Sequence, residues 1–380
     1  MKVKLESFLQ EVSEKTTENN QYPVLTSSKA GLYLQSDYFN KQVASKDNTG
    51  YKIIKRGQFT YRAMSDTGEF FPNMLDCADI GIVSPAYPVF EIAKPIVIPE
   101  FLKYYFKSNG FQQSIASFAQ GSTRTSIKYG KLKTVLLELP DLKEQQRYVE
   151  ILDTAQRIIN DRKKELEKLD DLIKARFVEL FGDAVHNDKG WNTISVEDAC
   201  LEIYGGGTPS KSHPEYYEDG DIPWVSSKDM KSDVLYGSQI YINQLGVENS
   251  SAKMVPVNSV IMVIRSGILK HTLPVAINAV PVTVNQDLKV FIPSEQILTR
   301  FLAVQFKMLE KDILSGVRAV TADNIEFNTL KERHIILPPV KLQKEFVDFC
   351  EQVDKSKVVA QQMLDEAQKL FDSLMQEYFG

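Results

Sequence analysis

The chain repeats itself, and no other feature of the sequence constrains its fold as strongly. Residues Ile127 to Gly182 align without a gap on Ile325 to Gly380 at a constant offset of 198. Leu132 matches Leu330, Leu139-Pro140 matches Leu337-Pro338, Gln145 matches Gln343, and Val149 matches Val347. The copies close on Glu179-Leu180-Phe181-Gly182 and Glu377-Tyr378-Phe379-Gly380. Weaker similarity runs upstream, where Phe101-Leu102 and Phe106-Lys107 match Phe301-Leu302 and Phe306-Lys307. Self-similarity on this scale implies two copies of one architecture: globular region, helix, globular region, helix.

The end of each copy reads as a long helix. Pro140 and Pro338 precede it, where proline is tolerated, and no Gly or Pro interrupts it before the final Phe-Gly. Apolar residues recur at spacings of three and four through Leu152, Ala155, Ile159, Leu166, Leu169, Ile173 and Leu180. At the same offset come Cys350, Val353, Ala360, Leu364, Ala367, Phe371, Leu374 and Tyr378. Sustained over about four heptads, this pattern predicts a coiled-coil seam, with Arg162, Arg176 and Lys357 as polar breaks. About 37 residues at about 1.5 Å each make a rod of about 55 Å. An ordinary amphipathic helix pair is the plainer alternative.

The regions before each helix alternate short β-branched runs with turns. Ser259 to Ile264, Leu273 to Ile277, Val280 to Val284 and Leu288 to Ile292 read as strands, and Pro99 to Ser108 and Glu295 to Leu309 as helices. The expected fold class is α+β. Two pseudo-symmetric mixed α/β domains, residues 1–140 and 185–338, are separated by a pair of long antiparallel coiled-coil helices, residues 141–184 and 339–380.

Catalytic chemistry is hard to find. Cys77, Cys200 and Cys350 form no Cys-x-x-Cys pair, and His186, His213, His271 and His334 share no metal spacing. No phosphate-binding loop of the Walker type is present. Ser84-Pro85-Ala86-Tyr87 approaches the motif with which amino-methyltransferases hold an extruded base, but lacks the second proline and reads as a turn. Asp161-Arg162-Lys163 imitates a nuclease pattern but lies on the helix, as a charged solvated face. The segment MKVKLESFLQ has neither the apolar core nor the cleavage site of a signal peptide, and no apolar run could span a bilayer. With so few cysteines, the expected compartment is the reducing cytoplasm.

What remains is polar loop chemistry suited to nucleic acid. Gly121-Ser122-Thr123-Arg124-Thr125-Ser126 offers hydroxyls and backbone amides for phosphates and a guanidinium able to read guanine. Its counterpart around Gly316 carries Arg318. Similar character marks Thr26, Ser27, Ser28 and Lys29; Arg62; Gly206, Gly207 and Thr208 with Ser210 and Lys211; Ser226, Ser227 and Lys228; Arg265; and Lys270. Gly205-Gly206-Gly207 reads as a turn bringing backbone N–H groups close to a ligand. Each such loop, taken singly, is equally an ordinary solvated turn. Charge alone does not argue for DNA. The chain carries 45 basic and 50 acidic side chains, a net charge of −5, where a lone, tight DNA binder would show a basic face.

Several of these segments together resemble a known family. Gly206-Gly207-Thr208-Pro209 with Ile222-Pro223-Trp224-Val225-Ser226-Ser227 resembles the opening of a target-recognition domain from specificity subunits of Type I restriction-modification systems. Leu139-Pro140 with Glu144-Gln145-Gln146, the heptads, and Glu179-Leu180-Phe181-Gly182 resembles that family's spacer helix. Val83-Ser84-Pro85-Ala86-Tyr87-Pro88-Val89-Phe90 is similar to a segment of another recognition-domain subtype. The first half lacks the Gly-Gly-Thr-Pro loop and the Trp.

The resemblance implies a non-catalytic subunit whose two halves each recognise part of a split double-stranded DNA target. It implies assembly with two methyltransferase (modification) subunits that bind S-adenosylmethionine, which restriction subunits using ATP and Mg²⁺ can join, and no cofactor in this chain. Partners closing around the DNA would share the phosphate contacts and so account for the weak charge. Two other functions are weighed beside it: a DNA adenine methyltransferase with its own recognition domain, separable by S-adenosylmethionine binding to the isolated chain, and a coiled-coil adaptor without DNA role, separable by gel shifts.

Overall fold

Two helices of 40 residues, Leu142–Phe181 and Val340–Phe379, have bounds that differ by the 198-residue repeat at each end. The structure is a computed structural model, and it describes residues 1–38, 47–118, 125–316, 318–319 and 323–380. At the start of the first long helix, the Asp141 carboxylate accepts from the Glu144 backbone N–H at 2.9 Å, satisfying one of the free donors of the first turn. At its end Gly182 adopts φ +76° while donating its N–H to the Val178 carbonyl. That left-handed conformation closes helices at little cost only with glycine. Among the described residues, no helix is long and apolar enough to cross a membrane.

The chain divides into two compact units, Met1–Lys164 with Gln361–Gly380, and Glu165–Ala360. Each unit therefore contains a stretch of both long helices.

In the first unit, a four-stranded antiparallel sheet runs Leu9–Val12, Val89–Ile92, Phe59–Thr60, Asn73–Met74. Its core is aromatic. Phe59 and Phe90 stack at 5.6 Å, and Phe106 meets both edge-on. Val149 and Leu152 of the first long helix close this core from one side. The end of the second long helix closes it too: Phe379 lies 5.1 Å from the Phe101 ring, and Tyr148 and Tyr378 stack in parallel at 3.9 Å.

The second unit holds a five-stranded sheet in the order Cys200–Gly205, Leu288–Pro293, Val260–Val263, Val275–Asn278, Val234–Leu235. A four-stranded sheet accompanies it, ordered Tyr241–Ile242, Ile222–Val225, Val282–Val284, Met254–Val255. Val260 to Val263 is buried on both faces, which explains why that run does not alternate with polar residues. Here the end of the first long helix and the start of the second share one aromatic cluster. Phe181 packs 4.9 Å from Phe301 and 5.5 Å from Phe346, with Phe177 beside them.

The same polar anchor fastens a long helix to each unit. Gln145 is fully buried; its Oε1 accepts from the Ile98 N–H at 2.9 Å, and its Nε2 donates to the carbonyls of Ile96 and Pro140. Gln343, also fully buried, accepts from Leu298 N–H at 2.9 Å and donates to the carbonyls of Gln296 and Pro338. Each glutamine thereby takes up three backbone groups outside the helical ladder in its unit. The predicted helix at Glu295 to Leu309 begins only at Thr299, because residues 295–297 form a turn and Leu298 is extended, held by its N–H on Gln343. The predicted Pro99 to Ser108 helix ends at Tyr105, and the Ser108 hydroxyl instead caps Asn109–Ala116.

Along the long helices Leu152, Ile159, Ile173 and Val353 are buried, and Leu166, Leu169, Leu364, Phe371 and Leu374 are half-buried. In the second unit the helices run in opposite directions, since Arg176 bonds Glu345 at 2.9 Å while Lys357 pairs with Asp170.

Candidate nucleic-acid interface

In the second unit, loops from strands of both sheets gather together. Gly207 follows the strand Cys200–Gly205 and donates its N–H to the Val284 carbonyl at 3.0 Å, at the end of Val282–Val284. A Cβ on Gly206 would fall 1.8 Å from that carbonyl oxygen, and one on Gly207 would fall 2.1 Å from the Ser251 hydroxyl. These glycines are thus fixed by close packing, and the Gly207 amide is already spent inside the protein. Of the amides expected to face a ligand, that of Gly207 is therefore turned inward. The Gly207 carbonyl accepts from the indole of Trp224, which is buried behind the loop.

Thr208, exposed, reaches the Gln286 side chain. Ser226 follows the neighbouring strand Ile222–Val225; its N–H and hydroxyl both donate to Asp229 at 2.8 Å, which shapes the turn carrying Ser227 and exposed Lys228. Arg265 places Nε 2.7 Å and Nη2 2.6 Å from one Asp287 oxygen, and Asp287 also takes the Asn285 amide. The loops after residues 205, 225, 264 and 284 thus form one polar rim, containing Thr208, Ser226, Arg265, Asn285, Gln286 and Asp287.

Ser210 bonds Ser212 and stands with Lys211 farther along the glycine loop, both exposed. Lys270 ends the turn Gly267–Lys270. Of Arg318 only the backbone falls within the described residues, in a two-residue strand opposite 323–324.

The sequence reading missed Asn285, Gln286 and Asp287. Their signal was present: three consecutive polar residues between the apolar runs Val282–Val284 and Leu288–Pro293.

The first unit assembles a different surface. Ser27, Ser28, Lys29 and Arg62 line a shallow cavity of about 280 Å³ with Ser65, Asp66, Thr67, Glu69 and Phe71. Thr26 and Ser27 lie on a strand paired with Leu32–Leu34. Thr125 walls the cavity's Ser65 side, donating its hydroxyl to the Ser65 carbonyl at 3.1 Å. Lys29 sits 3.3 Å from Glu69 and 5.1 Å over the Phe71 ring, and Arg62 lies 3.7 Å from Asp66. All four charges are about half exposed or more. Exposed pairs of this kind contribute little to stability, so a phosphate can displace the carboxylate at small cost. Ser122, Thr123 and Arg124, expected beside Thr125, lie outside the described residues.

Ser84 to Tyr87, the segment resembling a base-extrusion motif, is a tight turn closed by the Tyr87 N–H on the Ser84 carbonyl. Among the described residues, no three metal-ligating side chains cluster.

Comparison with known proteins places the chain. The Type I restriction modification DNA specificity domain matches residues 6–168 and again residues 188–367, once in each half. The specificity subunit of the Escherichia coli Type I restriction enzyme EcoR124I/EcoR124II is 38% identical over 153 residues, 40% of this chain and 38% of that protein. The Methanocaldococcus jannaschii MjaIX specificity subunit is 24% identical over 302 residues, 75% of this chain and 69% of that one. Among solved structures, the Type I restriction-modification S subunit from M. genitalium shares the fold with a TM-score of 0.56 and 14% identity, over 100% of this chain and 96% of that chain. A chain from a study of complex assembly in the Type I system gives 0.57 and 17%, over 100% and 97%. The chain belongs to the Type I restriction-modification DNA specificity family.

Proposed function

We propose that this chain selects the DNA sequence for a Type I restriction-modification complex. Residues 1–140 and 185–338 each read one half of a split double-stranded target. The helical regions 141–184 and 339–380 pair as an antiparallel coiled coil that sets the unread gap. The single observation that carries this reading is the duplication. The specificity domain matches both halves, and both fasten a helix through the same buried glutamine.

The polar surfaces differ between halves, as they must if each reads different bases. Thr208, Ser226 and Arg265 serve the second half, with Gly206 and Gly207 shaping the loop and Ser210, Lys211, Ser227, Lys228, Lys270 and Arg318 around it. Thr26, Ser27, Ser28, Lys29, Arg62 and Thr125, with Ser122, Thr123 and Arg124, serve the first. Hydroxyls and lysines would hold phosphates, and arginines would read guanine.

Bond-making belongs to other polypeptides in this reading: two modification subunits carrying S-adenosylmethionine, and restriction subunits using ATP and Mg²⁺. The setting is the cytoplasm.

Selecting random duplexes with the assembled complex tests the proposal. Recovered targets should contain two specified segments separated by a fixed unspecified gap. A single continuous segment, or no enrichment at all, would overturn it.

A further inference from the structure

Among the described residues, Lys289 of the second unit has no carboxylate partner, and its neighbours explain where a counter-charge could come from. Lys289 lies on the strand Leu288–Pro293, directly across the ladder from Gly205. It is half-buried, with its ammonium 4.4 Å over the centre of the Phe327 ring. A Cβ on Gly205 would fall 2.6 Å from that ammonium, so the missing side chain of Gly205 gives Lys289 its room.

The other half-buried lysines of this unit have carboxylates: Lys307 has Asp233, Lys331 has Glu197, and Lys357 has Asp170. Among the described residues no carboxylate comes within ion-pair distance of Lys289. Burial pushes its pKa below the ordinary lysine value, with no opposing charge to restore it. Burial therefore disfavours the charged form here, and the Phe327 ring face is what opposes it. Residues that break a local rule in this way tend to stand where a ligand supplies the missing partner.

The position fits such a ligand. Lys289 follows the Asn285–Asp287 turn by two residues and faces the strand that feeds the Gly206–Thr208 loop, the rim already assigned to DNA. We infer that Lys289 is a DNA phosphate contact, its ammonium held over the Phe327 ring and beside Gly205, on the strand pair that feeds the rim. An ammonium is a point charge suited to a phosphate oxygen, whereas base-edge reading favours the planar fork of arginine. The inference rests on the DNA reading above.

The test compares Lys289→Met and Lys289→Arg in the full chain assembled with its modification subunits. Binding is measured on the selected target and on a scrambled duplex, across a series of salt concentrations. Lys289→Met should weaken both duplexes by a similar factor, about tenfold, and reduce the slope of log K against log salt by about 0.9, as loss of one phosphate contact requires. Lys289→Arg should keep most of the binding. Lys289→Met should melt no lower than the parent, because methionine keeps the packing on Phe327 and removes a desolvated charge.

Unchanged binding would overturn the inference and leave the DNA reading intact. A loss confined to one base position would overturn it in favour of a base contact. A fall in melting temperature that accounts for the lost binding would overturn it in favour of a structural role. A parent complex that binds neither duplex would take the DNA reading with it.

Discussion

The two halves solve one packing problem with different chemistry. At the repeat offset, Ile159 of the first unit corresponds to Lys357 of the second. Ile159 is 1% exposed in an apolar row; in the same unit Tyr148 of one long helix stacks on Tyr378 of the other, and Phe371 packs against Tyr104 of the globular region. Lys357 instead pairs with Asp170 and lies 3.6 Å from Asp233, which also takes Lys307 and sits 3.8 Å from Arg300. Arg300 in turn bonds Asp354 at 3.0 Å. Apolar packing stabilises without dictating one register, whereas a charge network is satisfied in a single arrangement, a division of labour well attested for coiled coils. The glutamine anchors, by contrast, are alike in the two units. The duplication thus kept the joint between helix and globular region and let the seam diverge.

Exchanging the seam residues should expose this difference most sharply. Ile159→Lys puts an unpaired charge into an apolar seam and should cost about 4 kcal/mol. Hydrogen exchange should accelerate in the first unit first. Equal loosening of both units would break the comparison.

Gln145→Leu should come next, at about 3 kcal/mol, because it strands the Ile98 N–H and the Ile96 and Pro140 carbonyls. Gln343→Leu should match it closely in thermal melts of the second unit. Unequal losses would show that the anchors are not equivalent.

Asp233→Asn should cost less, about 1 kcal/mol, since a third of that carboxylate is exposed and solvent screens it. Burial alone would raise this carboxyl, but Lys307, then Lys357 and Arg300, hold it below its ordinary 3.8. A depressed carboxyl contributes stability that is present above its unfolded pKa and lost as pH falls through the folded one. The variant should therefore show a flatter acid limb below about pH 4 than the parent. A parallel limb would remove the network from the account.

Lys357→Ile should be the mildest, within about 1 kcal/mol, because the Asp170 carboxylate it leaves is about half exposed and Asp233 keeps Lys307 and Arg300. A loss as large as that of Ile159→Lys would mean that the charge is essential to the seam.

Much of this architecture was legible in the residues. The offset of 198, the Leu-Pro starts and the Phe-Gly ends locate both long helices, because helix signals are local. Gln145 and Gln343 stood out as matching positions, but their task was hidden, since two of the three groups each binds lie 45 to 49 residues away on segments with no pattern of their own. The rim of the second unit depends on a parallel pairing of Trp224-Val225 with Thr283-Val284, a contact that no turn announces. Arg265 was singled out by its loop, and Asp287, legible only as part of a polar run, is set beside it by the antiparallel pairing of Val260–Val263 with Leu288–Pro293. Lys289 read as one more strand residue, because its isolation from carboxylates is a fact of three dimensions.

In the function proposed above, two recognition domains are spaced by a helical strut whose length sets the gap in the DNA target. Deleting one heptad from each long helix, residues 166–172 with 364–370, shortens each by about 10 Å. At about 3.4 Å of duplex per base pair, sequencing of methylated adenines in cells carrying the variant should reveal the same two half-sites with a gap about three base pairs shorter. Methylation retained at the original gap would contradict the account.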